Sequence, residues 1–135
     1  MITAVDTSVL LDIFGADPKF GRASVEAFRH SLAEGVVVAS PIVWSETAAA
    51  FPDEAKFIKA METLGVEFSA IEEVAAQRAG AAWRSYRRGG GRRDRVAADF
   101  LIGAHALVQC EQLLTRDRGF YRRYFSGLKI IDPAS

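Results

Sequence analysis

Asp99-Phe-Leu-Ile-Gly-Ala-His-Ala-Leu-Val-Gln-Cys-Glu-Gln-Leu-Leu-Thr-Arg-Asp117 is the stretch whose reading decides the fold. An apolar run from Phe100 to Val108 is long enough for a buried helix, and a polar break follows at Gln109–Gln112. Leu113, Leu114 and Thr115 then read as a short strand that ends on Asp117. One carboxylate therefore sits near the start of a buried helix, another just past the carboxyl end of the next strand. In an open α/β sheet both places lie on the same edge, where ligands bind. Two acids on that edge need a counter-charge, and a hard cation is the simplest one.

Strands and helices alternate on either side of this stretch. Ile2 to Val5 reads as a buried first strand, and Asp6-Thr7-Ser8 supplies capping-type residues for a compact helix ending at Phe14. Ser24 to Leu32 has helical spacing and stops at Glu34-Gly35. Val36 to Ala39 is β-branched and lacks alternation, as expected of a strand covered on both faces. Ser40-Pro41 opens a further helix, with serine as cap and proline in the first turn, and Phe51-Pro52-Asp53 ends it. Next come a helix from about Asp53 to Leu64, a short strand Val66–Phe68 and the longest helix, from Ile71 to roughly Tyr86. Gly89-Gly90-Gly91 breaks the chain before the opening stretch; beyond it Gly119 to Phe125 is aromatic and basic, and Leu128 to Ile131 forms a last strand. The alternation predicts parallel strands with helices on both faces, because a parallel pair needs a crossover. The 135 residues make one domain, 1–135, large enough to bury a core without disulfides.

Net charge is zero, so overall charge points to no partner. Its distribution is uneven. Between Arg84 and Arg95 lie six arginines (84, 87, 88, 92, 93, 95) against the single acid Asp94, leaving 11 basic and 16 acidic side chains elsewhere. A basic strip on an otherwise acidic chain suits a polyanion held at one place, or equally a solvated helix end followed by an arginine-rich loop. Cys110 is the sole cysteine, which excludes an intramolecular disulfide and a thiolate metal site. With only His30 and His105, neither at ligand spacing from a partner, zinc is not supported. No apolar run approaches transmembrane length and the opening Met-Ile-Thr-Ala-Val-Asp lacks a leader pattern, so a cytoplasmic protein is expected.

Four acids fall near the carboxyl edge of the sheet: Asp6, Glu46, Asp99 and Asp117. Each alone has a local explanation. Asp6 caps a helix, Glu46 faces solvent, Asp99 complements a helix dipole and Asp117 makes a turn. Their agreement on one edge favours a shared role. Crowded carboxylates raise one another's pKa unless a cation neutralises them, and Mg²⁺ or Mn²⁺ takes oxygen ligands while keeping several waters. Four acids suit one such ion with outer support, or two ions about 4 Å apart. Ser8 and Thr115 are placed to bond a carboxylate or a water, or to satisfy local backbone. Asp12 and Asp94 are turned off the site by helical spacing, while Gly103, four residues after Asp99, shares its face and permits close backbone approach.

The opening Val5-Asp-Thr-Ser-Val-Leu-Leu-Asp12, Ser40-Pro-Ile-Val-Trp-Ser-Glu46, Asp99-Phe-Leu-Ile-Gly-Ala-His-Ala106 and Thr115-Arg-Asp-Arg-Gly-Phe-Tyr121 stand in the order of the PIN-domain nucleases. The chain resembles that family, and more narrowly the VapC-type toxins of bacterial toxin–antitoxin pairs. The resemblance implies a three-layer α/β/α fold around a central, mostly parallel five-stranded sheet. It also implies a Mg²⁺- or Mn²⁺-dependent endoribonuclease that leaves 5′-phosphate and 3′-hydroxyl ends, inhibited by a cognate antitoxin and forming a homodimer. Asp6 and Asp99 match the direct ligands, with Glu46 and Asp117 completing the site. Arg88, Arg92, Arg93 and Arg116 are candidates for RNA phosphates, and Trp83, Tyr86, Phe120 and Tyr121 for stacking on bases, although helical spacing favours packing for Trp83 and Phe120. The competing reading is a catalytically silent PIN-like module that binds RNA or a protein without turnover. A haloacid-dehalogenase-type phosphatase is excluded because Ser8 stands where a second aspartate is required, and a response-regulator receiver because Thr115-Arg116-Asp117 offers no lysine.

Overall fold

The computed structural model describes residues 1–90 and 97–134. β1 (Ile2–Val5) runs into α1 (Thr7–Phe14) and α2 (Gly21–Glu34) before β2 (Val36–Ala39). α3 (Pro41–Ala48) and α4 (Glu54–Leu64) lead to β3 (Val66–Phe68), and α5 (Glu73–Arg88) precedes α6 (Ala97–Gln109). β4 (Gln112–Leu114), α7 (Arg118–Tyr124) and β5 (Lys129–Ile131) complete the order. The sheet order is β3-β2-β1-β4-β5, and every pairing is parallel. Helices cover both faces, giving the three-layer α/β/α arrangement that the alternation predicts.

Local chemistry sets the ends of these elements. Ser40 Oγ accepts the Val43 N–H to cap α3, with Pro41 in the first turn. Asp53 accepts the Lys56 N–H at 2.8 Å to cap α4, and Gly65 ends that helix in the left-handed region at φ 90°. From β1 the chain builds outward to β2 and β3, then returns to add β4 and β5 on the other side. The strand order therefore reverses between β1 and β4, and Val5 pairs with Leu114 at their carboxyl ends. A crevice is expected at such a reversal.

The structure departs from the sequence reading at several elements. β4 starts at Gln112, which the sequence reading assigns to a polar break. The amide nitrogen of buried Gln112 donates to Thr3 Oγ1 on the neighbouring strand at 2.8 Å, while its amide oxygen has no hydrogen-bond partner among the described residues. Residues 118–124 form a helix the sequence reading does not assign, held by packing rather than propensity: Phe120 and Tyr121 are buried, and Phe120 meets Phe100 edge-on at 5.2 Å. α3 stops at Ala48, short of Phe51, and α2 begins at Gly21, before Ser24. The sheet is parallel throughout rather than mostly so.

Gly103 faces the aromatic cluster and not an open edge. A Cβ there would come within 2.4 Å of the Phe125 ring, itself 1 % exposed. Gly103→Ala is expected to lower stability by about 1–3 kcal/mol, as overpacking does. Urea unfolding measures it, and an unchanged midpoint would show that the Phe125 ring yields freely.

Candidate functional site

The backbone puts Asp6 at the reversal point. Its N–H donates to Leu114 O at 2.9 Å, which extends the β1–β4 ladder by one rung. From there the side chain does two jobs. Oδ1 accepts the Thr7 N–H at 2.8 Å, so the capping reading of the sequence holds. Oδ2 accepts the Thr115 hydroxyl at 2.7 Å and lies 3.5 Å from the Tyr121 hydroxyl. Thr115 in turn accepts the Asp117 N–H at 3.0 Å, so its one proton goes to Asp6 and its lone pair fixes the next acid.

The other acids arrive from separate elements. Glu46 is exposed on α3 and accepts the Thr7 hydroxyl at 2.6 Å. Asp99 occupies the first turn of α6 and Asp117 immediately precedes α7, both half-buried. All four open on one hollow of about 570 Å³, walled also by Ser8, Leu11, Ile102 and Arg116. Positions 6, 46, 99 and 117 thus line one hollow, although they come from four parts of the chain.

Asp6 is 8 % exposed, and its pKa is raised from 3.8 to about 6. Burial is the main cause. The hydrogen bonds from Thr115 and Thr7 work against it, and the charges of Glu46 and Asp117 push the same way as burial. A dry carboxylate with like charges beside it binds either a proton or a cation.

The donors are all oxygens, which suits Mg²⁺ or Mn²⁺ rather than a soft metal. Ser8 also lines the hollow, and its buried Oγ has no hydrogen-bond partner among the described residues. Among the described residues no three His, Cys, Asp or Glu side chains are grouped closely enough to hold an ion as they stand. The arrangement fits an ion bound through one or two carboxylates with waters completing its shell.

The remaining sequence candidates divide. Arg116 lies on the wall of the hollow, but its guanidinium bonds Asp12 through Nε at 2.7 Å and Nη2 at 3.1 Å. Arg88 is exposed at the end of α5 and is not part of the wall; Arg92 and Arg93 lie outside the described residues. The base-stacking idea fails for Tyr86, Phe120 and Tyr121, which are buried, the last at 1 %. Trp83 is half-buried and stacks on Phe100 at 5.9 Å, as its spacing suggests. His105 is buried and hydrogen-bonded to Ser69 Oγ at 2.8 Å, away from the acids. Cys110 is half-buried, and burial pushes its thiol up to about 11, the behaviour of a packing residue. Thr7 was missed as a partner of Glu46, since the two are 39 positions apart and no local pattern links them.

A family model described as "PIN domain" matches residues 3–126. Among solved structures, VapBC2 from Rickettsia felis, bound to a DNA fragment from its promoter, superposes with a TM-score of 0.77 at 14 % identity, covering 98 % of each chain. VapBC-1 from nontypeable Haemophilus influenzae gives 0.76 at 19 % identity over the whole of both chains, and FitAcB from Neisseria gonorrhoeae 0.66 at 20 % over 99 % of each. At these identities the likeness is one of fold. No curated protein matches the chain.

Burial of Asp6 has a pH signature. Well below pH 3.8 its carboxyl is protonated in native and unfolded chains alike. As pH rises the unfolded chain releases the proton first, so stability falls between 3.8 and about 6, and the loss is complete above that. The gap is worth roughly 3 kcal/mol at most. In EDTA, Asp6→Asn should therefore be more stable than the parent at pH 7.5, by about 1–3 kcal/mol, and should lose that advantage near pH 4. Urea unfolding at the two pH values decides it; an Asn variant no more stable at pH 7.5 would contradict the burial penalty.

Proposed function

The chain belongs to the PIN-domain family, and from that premise we propose that it is a divalent-metal-dependent endoribonuclease, the toxin of a toxin–antitoxin pair. One observation carries the proposal: four acids from four parts of the chain meet in one hollow at the strand-order reversal, with Asp6 only 8 % exposed. In this reading Asp6 and Asp99 hold Mg²⁺ or Mn²⁺, and Glu46 and Asp117 complete the acidic set. When bound, the ion lowers the pKa of water and neutralises charge developing on a phosphodiester.

The chain's own residues supply the rest. Thr115 holds Asp6 by donating to Oδ2, so that this carboxylate keeps one orientation. Thr7 holds Glu46 by its Oε1, and the exposed remainder of that carboxylate is free to take a proton from an attacking water. Water adds to phosphorus, the bond to the 3′ oxygen breaks, and the proton ends on the leaving oxygen. The products are a 5′-phosphate and a 3′-hydroxyl. A cognate antitoxin as partner is supported by the fold likeness, since the chains it matches come from VapBC and FitAcB structures and are matched over nearly their full length. No helix among the described residues is long and apolar enough to cross a membrane.

With Mg²⁺, the protein should cleave a structured RNA to 5′-phosphate products, and EDTA should stop it. Glu46→Gln should slow cleavage about a hundred-fold or more, and Asp99→Asn should lose both cleavage and Mn²⁺ binding. Equal cleavage by all three proteins would trace the activity to a contaminant and leave the silent binding module as the better reading.

A further inference from the structure

We propose that Asp12 is a positioning residue that holds the Arg116 guanidinium off the acidic hollow, where it would compete with a divalent cation. The inference rests on the metal-binding reading above. Arg116 is the middle residue of the turn Thr115-Arg116-Asp117, so it sits between the residue that fixes Asp6 and one of the four acids. Arg116 is part of the hollow's wall. A guanidinium is always charged, and its planar fork matches carboxylates. Tethered beside four acids, it is present at an effective concentration that a free ion must compete with.

Three elements keep it elsewhere. Asp12 in the last turn of α1 takes Nε at 2.7 Å and Nη2 at 3.1 Å on its two oxygens. Ser24 on α2 donates to the same Asp12 Oδ2 at 2.8 Å, which fixes the carboxylate itself. The Phe20 ring lies 4.1 Å from the guanidinium carbon and offers its face to the cation. Asp12 is 4 % exposed and is not part of the hollow's wall, whereas the Arg116 side chain is 28 % exposed at the boundary. The pair is therefore anchored at the Asp12 end and movable at the arginine end. Removing Asp12 leaves a half-buried cation without its partner, and such a charge is driven to the nearest acceptors. Those are the acids of the hollow, whose wall includes Arg116, and on the other side Asp17, whose carboxyl the Arg116 charge helps to hold down.

The test is a double-mutant cycle read by Mn²⁺ calorimetry. Asp12→Ala should weaken Mn²⁺ binding about ten-fold or more, and adding Arg116→Met should restore most of that loss. A merely structural Asp12 predicts the opposite, a double variant no better than Asp12→Ala alone, and that result would overturn the proposal. If Asp12→Ala does not fold, Asp12→Asn, which keeps an acceptor for Ser24, serves in its place. A crystal structure of the single variant in EDTA reads the guard without metal. The guanidinium should then lie within hydrogen-bond reach of the Asp6, Asp99 or Asp117 carboxylate, and one left over Phe20, moved to Asp17 or turned to solvent would refute it. If the parent protein binds no Mn²⁺, the metal reading fails, and the crystal structure alone decides on Asp12.

Discussion

Burying a carboxylate at the floor of a crevice is unfavourable, and the arrangement around Asp6 follows from that constraint. Water is largely excluded from the side chain, so its charge must be met by hydrogen bonds, by a proton or by a cation. Thr115 and Thr7 supply two hydrogen bonds, one to each oxygen. They work against the burial without cancelling it, and the carboxyl stays raised to about 6. Glu46 and Asp117 make the shortfall worse, which is unhelpful for folding and useful for binding. A folded protein commonly carries such local instability where it works.

The topology explains why the strain gathers at this place. β1 is central, with β2 on one side and β4 on the other, and the chain departs from their carboxyl ends in different directions. The end of β1 contributes Asp6, the end of β4 contributes Thr115 and Asp117, and α3 and α6 bring Glu46 and Asp99 to the same opening. Four weakly informative acids come to line one hollow because the parallel sheet delivers all of its strand ends to one edge.

Much of this was legible in the sequence, where the signal is local. The strands Ile2–Val5 and Val36–Ala39, the Ser40-Pro41 helix start and the Gly65 stop all rest on neighbouring residues, and they stand as read. The acids were legible because a strand-end position can be inferred from the alternation. What the sequence hides is pairing across distance. Nothing near Asp12 announces Arg116, 104 positions away, and nothing near Thr7 announces Glu46. α7 was hidden for a related reason: its helix is imposed by the aromatic cluster that Phe120 and Tyr121 join, contributed in part by Tyr86 and Phe100 from other helices. The same cluster withdraws three aromatic side chains from any role in stacking on bases.

Whether the four acids are a cation site is settled most directly by anomalous diffraction at the manganese edge from crystals grown with MnCl₂. The account predicts one or two peaks inside the hollow, with a carboxylate oxygen of Asp6 and one of Asp99 in bonding reach of an ion. A hollow without a peak at saturating Mn²⁺, or manganese found only elsewhere on the protein, would contradict it.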